Sequence, residues 1–333
     1  MAIEFDRTVE EAPFHNPLEG FEADAVEIEH RTDPLTGRQT RIVPDVFPMP
    51  EDEPPLDDFV GDGEGCFFCP ENVTEATPTY PNFVGVDRGS VGEAVSFPNL
   101  FPYARGSNVV VLTEDHFRSI DEFTVDHFAD GLACALEYVH AVRDHEEAAY
   151  ASINMNILPS SGSSVVHPHL QTIVDDHGTE QLRRIRRHER AYHDEHGRRY
   201  WEAYLEEERD GPRYVGSTGE VEWLAPFAPK HQWHVAGVTD VTGLPAPDDD
   251  VVADLAAGIV NVLSYYAELG LNSHNLALRL LEDPASTAVV DVVARPVFGE
   301  HYVNDAFFFT ILHDEPIVDV APETYAAEAA DYF

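Results

Sequence analysis

The chain has 333 residues, of which 62 are Asp or Glu and 20 are Lys or Arg, giving a formal net charge of −42. That balance excludes nucleic acid as a partner, because a phosphate backbone needs basic surfaces, and the 43% of hydrophobic residues excludes an acidic disordered segment. Lys230 is the single lysine; molar salt would shorten the Debye length to about 3 Å and relieve the self-repulsion of such a surface, so the composition reads as adaptation to a salt-rich cytoplasm.

From the N-terminus, residues 1–28 carry acidic residues and proline punctuation, which predicts an arm rather than a core element. No basic and apolar leader precedes them, and no run approaches the roughly 18 apolar residues of a spanning helix, so a soluble, cytoplasmic protein without membrane contact is expected. The length predicts about two domains. Residues 46–64 read as a Pro/Asp/Glu/Gly loop that delivers the chain to Gly65-Cys66-Phe67-Phe68-Cys69-Pro70. The two-residue gap lets both sulfurs reach one tetrahedral ion. Cys134 is the only other cysteine, so a zinc bound here needs His or carboxylate ligands as well, and His116 and His167 are the candidates. A redox couple or two buried thiols are the alternatives. Three cysteines make no disulfide framework, in keeping with a reducing compartment.

Asn108 to Thr113 and Ser152 to Leu158 read as strands. Between them, Phe128, Leu132, Leu136, Val139 and Val142 mark a helix over Val125 to Asp144 whose stripe is core, with Cys134 a buried thiol. The most informative segment is Ser163-Ser164-Val165-Val166-His167-Pro168-His169-Leu170-Gln171. A strand over Val165 to Val174 puts both imidazoles and the amide on one face, where a histidine held by its neighbours can attack an electrophile such as phosphorus. Thr179 to Glu208 predicts a helical hairpin. Its cluster Arg183, Arg184, Arg186 and Arg187 is either paired with neighbouring acids or turned toward phosphate. From Val221 to Phe309 the order is strand, long helix (Asp248 to Leu269), strand, strand. His231, His234, His274 and His301 there lack ligand spacing and are left unassigned.

Five pieces, taken in order and spacing, resemble the galactose-1-phosphate uridylyltransferase family, the nucleotidyl-transferring branch of the histidine-triad superfamily. They are Asp33-Pro34-Leu35-Thr36-Gly37-Arg38, Cys66-Phe67-Phe68-Cys69-Pro70, Phe97-Pro98-Asn99-Leu100-Phe101, Asp115-His116, and Gly162 through Gln171. Weaker likeness continues in Arg213-Tyr214-Val215 and in Ala225-Pro226-Phe227-Ala228-Pro229.

The resemblance implies an α+β fold of two histidine-triad-like halves, each an antiparallel sheet with flanking helices. The expected division is an arm over 1–28, an N-terminal domain over 29–185 and a C-terminal domain over 186–333. It implies that Cys66, Cys69, His116 and His167 ligate a structural zinc, though iron suits the same ligands. His169 is then the nucleophile that becomes a nucleotidyl phosphoramidate, with its other ring nitrogen held by a backbone carbonyl in the His-Pro-His turn, and Gln171 bonds the phosphoryl oxygens. Asn99 and Phe101 lie against the nucleotide, and Asn156, Gly162 and Ser164 line the phosphate path. The expected substrates are a nucleotide sugar and a sugar 1-phosphate, with UMP the leading group and galactose metabolism the setting, in a homodimer. Gln171 cannot relay protons to water, which favours transfer over hydrolysis.

Departures from the family pattern are also visible. Pro44-Asp45-Val46-Phe47-Pro48-Met49-Pro50 has no basic residue, and Val289 through Pro296 lacks histidine, so no second metal is expected there. Tyr302 to Phe309 does not reproduce the hexose-phosphate residues. A nucleotide-sugar or dinucleotide phosphorylase using the same histidine, and a non-catalytic zinc-stabilised binding protein, remain as alternatives.

Overall fold

The computed structural model describes residues 3–45, 56, 60–297 and 304–333. Most of the 46–64 loop, His301 and the Pro44 to Pro50 segment beyond Asp45 lie outside the described residues. In chain order the first half has β1 (Arg7–Asn16), β2 (Glu22–Thr32), β3 (Gln39–Ile42), α1 (Pro70–Ala76), β4 (Gly89–Val91), β5 (Ala94–Pro98), β6 (Gly106–Val111), α2 (Val125–His145), β7 (Tyr150–Asn156) and β8 (His169–Asp175). The second has α3 (Glu180–His196), α4 (Tyr200–Glu208), β9 (Tyr214–Thr218), β10 (Val221–Leu224), β11 (Val235–Val238), α5 (Asp250–Glu268), β12 (His274–Leu281), β13 (Val289–Ala294), α6 (Phe308–His313), β14 (Ile317–Val318) and α7 (Pro322–Ala329).

Ten strands form one sheet in the order β4-β5-β6-β8-β7-β12-β13-β11-β10-β9. Read from either end the order repeats: three strands, a long helix, then two strands that fold back so that the fourth lies at the centre. The two halves meet at the antiparallel pair β7 and β12, with Asn154 opposite Ala277. The α+β architecture of two related halves is thus written in the sheet itself.

The long helices α2 and α5 cover one face of this sheet and pack on each other. Thr124 caps α2, its side chain accepting from the His127 N–H, and Phe128, Leu132, Ala135, Leu136, Val139 and Val142 line the buried stripe. In α5 the stripe contains a glycine for a specific reason. A Cβ on Gly258 would sit 2.1 Å from the fully buried Trp223 ring, and one on Gly237 of β11 would sit 2.7 Å from it. The indole therefore occupies a slot that only two glycines leave open. By length and composition α5 is also apolar enough to cross a membrane, but 56% of its apolar window is buried inside this fold.

On the outer face two patches are covered. Val73 of α1 and Phe68 close over Phe97, Val109 and Val111, and the α4 aromatics Tyr200, Trp201 and Tyr204 close over Leu224, Ala236, Val238 and Val289. A strip across β8, β7, β12 and β13 is left between them. A second, four-stranded sheet, β1-β2-β3-β14, stands to the side. It is tied in by the buried Arg31, which grips both oxygens of Glu323 at 2.9 and 2.8 Å and the Phe227 carbonyl at 3.1 Å.

Residues 1–28 contain β1, exposed over nearly its whole length, and most of a β2 that continues to Thr32, a hairpin with register Arg7↔Arg31 to Asn16↔Glu22. One expectation changes in detail. The strand placed at Val165 begins only at His169. Pro168 has no N–H for a ladder, and the His167 ring is drawn off to the Thr113 carbonyl at 2.8 Å. Three of the four clustered arginines of α3 meet acids: Arg183 bonds Glu180, Arg184 reaches Asp314 and Arg186 reaches Asp283.

Candidate active site and metal centre

Cys69 is the N-cap of α1 and Cys66 lies three residues before it, His116 lies just past β6, and His167 just before β8. These four bring one ligand atom each to within 4.8 Å of the others, a cluster that could hold a metal ion. The separations have metal-site dimensions: Cys66 Sγ to His167 Nδ1 is 3.7 Å, Cys69 Sγ to His167 Nδ1 is 3.6 Å, and Cys69 Sγ to His116 Nδ1 is 3.5 Å. A tetrahedral ion with metal–sulfur bonds near 2.3 Å and metal–nitrogen bonds near 2.0 Å has a sulfur-to-nitrogen edge of about 3.6 Å. Both imidazoles are also in the right tautomer. The Nε2 atoms face carbonyl acceptors, Val60 O at 3.1 Å for His116 and Thr113 O at 2.8 Å for His167, so each Nδ1 turns a lone pair inward. Two thiols and two imidazoles in this arrangement suit zinc chemistry.

One residue beyond Pro168, His169 enters β8 with its ring almost fully buried. Its Nδ1 donates to the His167 carbonyl at 2.8 Å, the carbonyl expected from the sequence. Phe68 meets the ring edge to face at 5.2 Å. Burial pushes the His169 pKa below the ordinary histidine value, against the opposing pull of that carbonyl, which keeps the imidazole neutral near pH 7. Nε2 is then the ring nitrogen that keeps its lone pair, with no hydrogen bond among the described residues. Gln171 follows two residues on, on the same face, paired with Asn154 on β7. Its side-chain amide also makes no hydrogen bond among the described residues.

The phosphate-loop candidates lie at the end of β7. Leu158, at φ 64, turns the chain into Pro159–Ser161, and Gly162 at φ 91 closes the turn. A leucine in the left-handed region costs on the order of 1–3 kcal/mol and persists only where its surroundings fix it. Here Ser161 N–H and Ser163 N–H both donate to the Leu158 carbonyl, and the Ser161 hydroxyl donates to Ile157 O. Ser164 is exposed beside them. Asn99 accepts the Phe101 N–H at 3.0 Å, while its own Nδ2 is buried without a partner. The Phe101 ring is 76% exposed, an open platform at the end of β5.

Three residues that sequence reasoning left out organise this site. Arg295 donates to Asn275 Oδ1 at 2.6 Å, and Asn275 donates to Asn156 Oδ1 and to the Ser161 carbonyl. Arg295 is itself pinned by the buried Asp305. The chain has a fixed polarity. An arginine only donates, so Asn275 must turn its oxygen to Arg295 and its NH2 to Asn156. Asn156 must then accept with its oxygen, and presents its own NH2 donor elsewhere. The second half of the molecule thus orients an amide of the first. No local sequence pattern carries that signal, because β12 meets β7 only in the folded sheet.

No protein-family model matches the chain. A protein of Archaeoglobus fulgidus described as uncharacterised is 34% identical over 329 residues, covering 98% of each chain. Among solved structures, an ADP-glucose phosphorylase from Arabidopsis thaliana with bound ADP-glucose superposes with a TM-score of 0.71 at 18% identity, covering 91% of this chain and 97% of that one. A structure described as uridylyltransferase gives 0.65 at 19% identity, covering 91% and 97%. At such identities the likeness is one of fold.

Proposed function

We propose that this chain, which belongs to one family with the Archaeoglobus fulgidus protein and has the galactose-1-phosphate uridylyltransferase fold, is a nucleotidyltransferase that works through a covalent histidine intermediate. The observation that carries this reading is the His169 ring. It is buried and oriented by the His167 carbonyl at 2.8 Å, its neighbour His167 belongs to the ligand cluster, and Nε2 is free beside an uncommitted Gln171 amide.

Nε2 attacks the α-phosphorus of a nucleotide sugar, the phosphorus–oxygen bond to the sugar phosphate breaks, and sugar 1-phosphate departs. The positive charge that develops on the ring strengthens the Nδ1–H bond to the His167 carbonyl. Gln171, the Asn156 amide, Gly162 and Ser164 receive the phosphoryl oxygens. Asn99 and Phe101 take the nucleotide. Zinc is the ion we assign to Cys66, Cys69, His116 and His167, where it would fix the approach to β8 structurally. UMP transfer to a hexose 1-phosphate is the leading reaction, and a homodimer in a salt-rich cytoplasm is the form in which we place it.

A second reading replaces the sugar phosphate acceptor by inorganic phosphate, and the likeness to an ADP-glucose phosphorylase favours keeping it. Isotope exchange tests both. A double-displacement enzyme exchanges labelled glucose 1-phosphate into UDP-glucose or ADP-glucose with no second acceptor present, and His169→Ala abolishes the exchange. Exchange that survives in that variant overturns the mechanism. Net release of nucleoside diphosphate in phosphate buffer selects the phosphorylase.

A further inference from the structure

The only lysine of this acidic chain sits on the outer face of the sheet, in the open strip that also carries His169. Lys230 Nζ bonds Asp291 Oδ2 at 2.5 Å, and Arg279 Nη1 reaches the same oxygen at 3.3 Å. The other oxygen of Asp291 is taken by His234 Nε2 at 2.9 Å. Two cations therefore share one carboxylate. Arg38, close by, donates to neutral oxygens only, those of Ala228, Gln39 and Thr40. Glu189, near Arg279, is pushed toward its protonated form by burial. Arg279 is 5% exposed, and its Nη2 has no hydrogen-bond partner. A buried guanidinium with an unmade bond is costly in a finished core, and about a third of the Lys230 side chain remains open, at 31%.

This cluster is part of the wall of a cavity of about 360 Å³ that is also lined by Ser152, Asn154, Ile173, Leu182, Ala277 and Val293. Strand register relates the cavity to the nucleophile. Gln171 is opposite Asn154, Asn154 opposite Ala277, and Ala277 opposite Asp291. The line runs straight across the sheet, three strand spacings or about 14 Å from Gln171 to Asp291, with only an asparagine and an alanine between.

Resting on the nucleotidyl-His169 reading above, we propose that Lys230 and Arg279 form a distal anion subsite, so that the acceptor is a sugar 1-phosphate carrying a second anionic group, a carboxylate or a phosphate, at its far end. The 1-phosphate lies at His169 and the sugar ring rests its C–H face on Ala277, Ile173 and Val293. The far anion completes the open valences of Arg279 and Lys230. In the transfer step an oxygen of the 1-phosphate attacks the nucleotidyl phosphorus, the phosphorus–nitrogen bond breaks, and its electron pair returns to His169 Nε2. Its proton balance is closed, since a phosphate dianion attacks and neutral imidazole is regenerated.

Two arms test this. In the first, the nucleotidylated protein is challenged with glucose 1-phosphate, glucuronate 1-phosphate or glucose 1,6-bisphosphate, and decay of the nucleotidyl mass is timed. One or both distally charged acceptors should react at least about tenfold faster than glucose 1-phosphate. In Lys230→Met and Arg279→Gln that ratio should fall to about one, with Lys230→Arg retaining part of it. Equal rates in the wild type, or an unchanged ratio in the variants, overturn the subsite. The second arm needs neither turnover nor a variant. As the single lysine, Lys230 reports on its own acylation by peptide mass spectrometry in high salt. Glucuronate 1-phosphate or glucose 1,6-bisphosphate should protect it where glucose 1-phosphate does not. Failure of both to protect overturns the subsite, whereas protection without any nucleotidyl-enzyme overturns the reading of His169 and leaves the subsite standing.

Discussion

At the scale of single residues, the site divides into groups that a short motif reveals and groups that only the fold assembles. Cys66, Cys69, His167, His169 and Gln171 lie in two short segments whose spacing carries the chemistry. Arg295, Asn275 and Asp305 do not, because they act on Asn156 as a relay, Asp305 on Arg295, Arg295 on Asn275 and Asn275 on Asn156, between segments that are remote in the chain. The polarity of that relay makes a sharp prediction. Asn156→Asp keeps the acceptor that Asn275 needs, so thermal stability should stay close to wild type. It replaces the free NH2 by a charge that repels phosphate, and kcat/KM for transfer should fall about a hundredfold or more. Near-normal kinetics in that variant would remove Asn156 from the phosphate path. At the metal cluster, Cys66→Ser should lower the bound zinc measured by elemental analysis and lower Tm with it; an unchanged zinc content would refute the ligand set. Lys230 gives the pH prediction. Burial brings its pKa down to about 8 against the pull of Asp291, with Arg279 and Arg38 adding to the depression. Because the folded value lies below the unfolded one, the cost of burying the charge is full below about pH 8 and is lost as the pH rises toward the unfolded value. Its acylation rate should therefore rise to half-maximum near pH 8, and a midpoint above 10 would contradict this.

Among elements, the two long helices were legible because an apolar stripe of period 3.6 over about twenty residues has no competing reading, whereas the short helices α1, α6 and α7 were not foreseen. Val125–His145 and Asp250–Glu268 lie within two residues of their sequence-derived limits. The short strands β4, β5 and β9 were not foreseen, since three to five residues with mixed burial carry too little pattern. The start of β8 was misplaced because a β-branched run ahead of His-Pro-His reads as strand, while Pro168 and the bond of the His167 ring to the Thr113 carbonyl delay the ladder. Nor does any pattern reveal the slot for Trp223. Gly258→Ala in a helix interior should stabilise by up to about 1 kcal/mol on propensity alone. Here the added methyl would meet the indole at 2.1 Å, so the variant should instead lose about 1–3 kcal/mol in denaturant unfolding. A gain would mean that the indole yields freely.

For the whole molecule, the two-half sheet explains why the site is composite. The β7–β12 seam places the relay and the cavity-lining residues Lys230 and Arg279 of the second half, which lacks cysteines and a His-Pro-His run, at the same sheet as His169, the nucleophile we propose on the first. The net charge acts at this scale too. With −42 on 333 residues, long-range repulsion opposes the compact state until salt screens it. Tm should rise on the order of 10 °C between dilute buffer and molar KCl, and level off once the Debye length nears about 3 Å. A flat salt response would count against adaptation to salt. The central claim is the covalent histidine, and intact-protein mass spectrometry in a volatile high-salt buffer after incubation with UDP-glucose or ADP-glucose tests it most directly. A covalent histidine gives a mass gain of one nucleoside monophosphate in the wild type and none in His169→Ala; no adduct with either nucleotide sugar, or the same adduct in the variant, would contradict it.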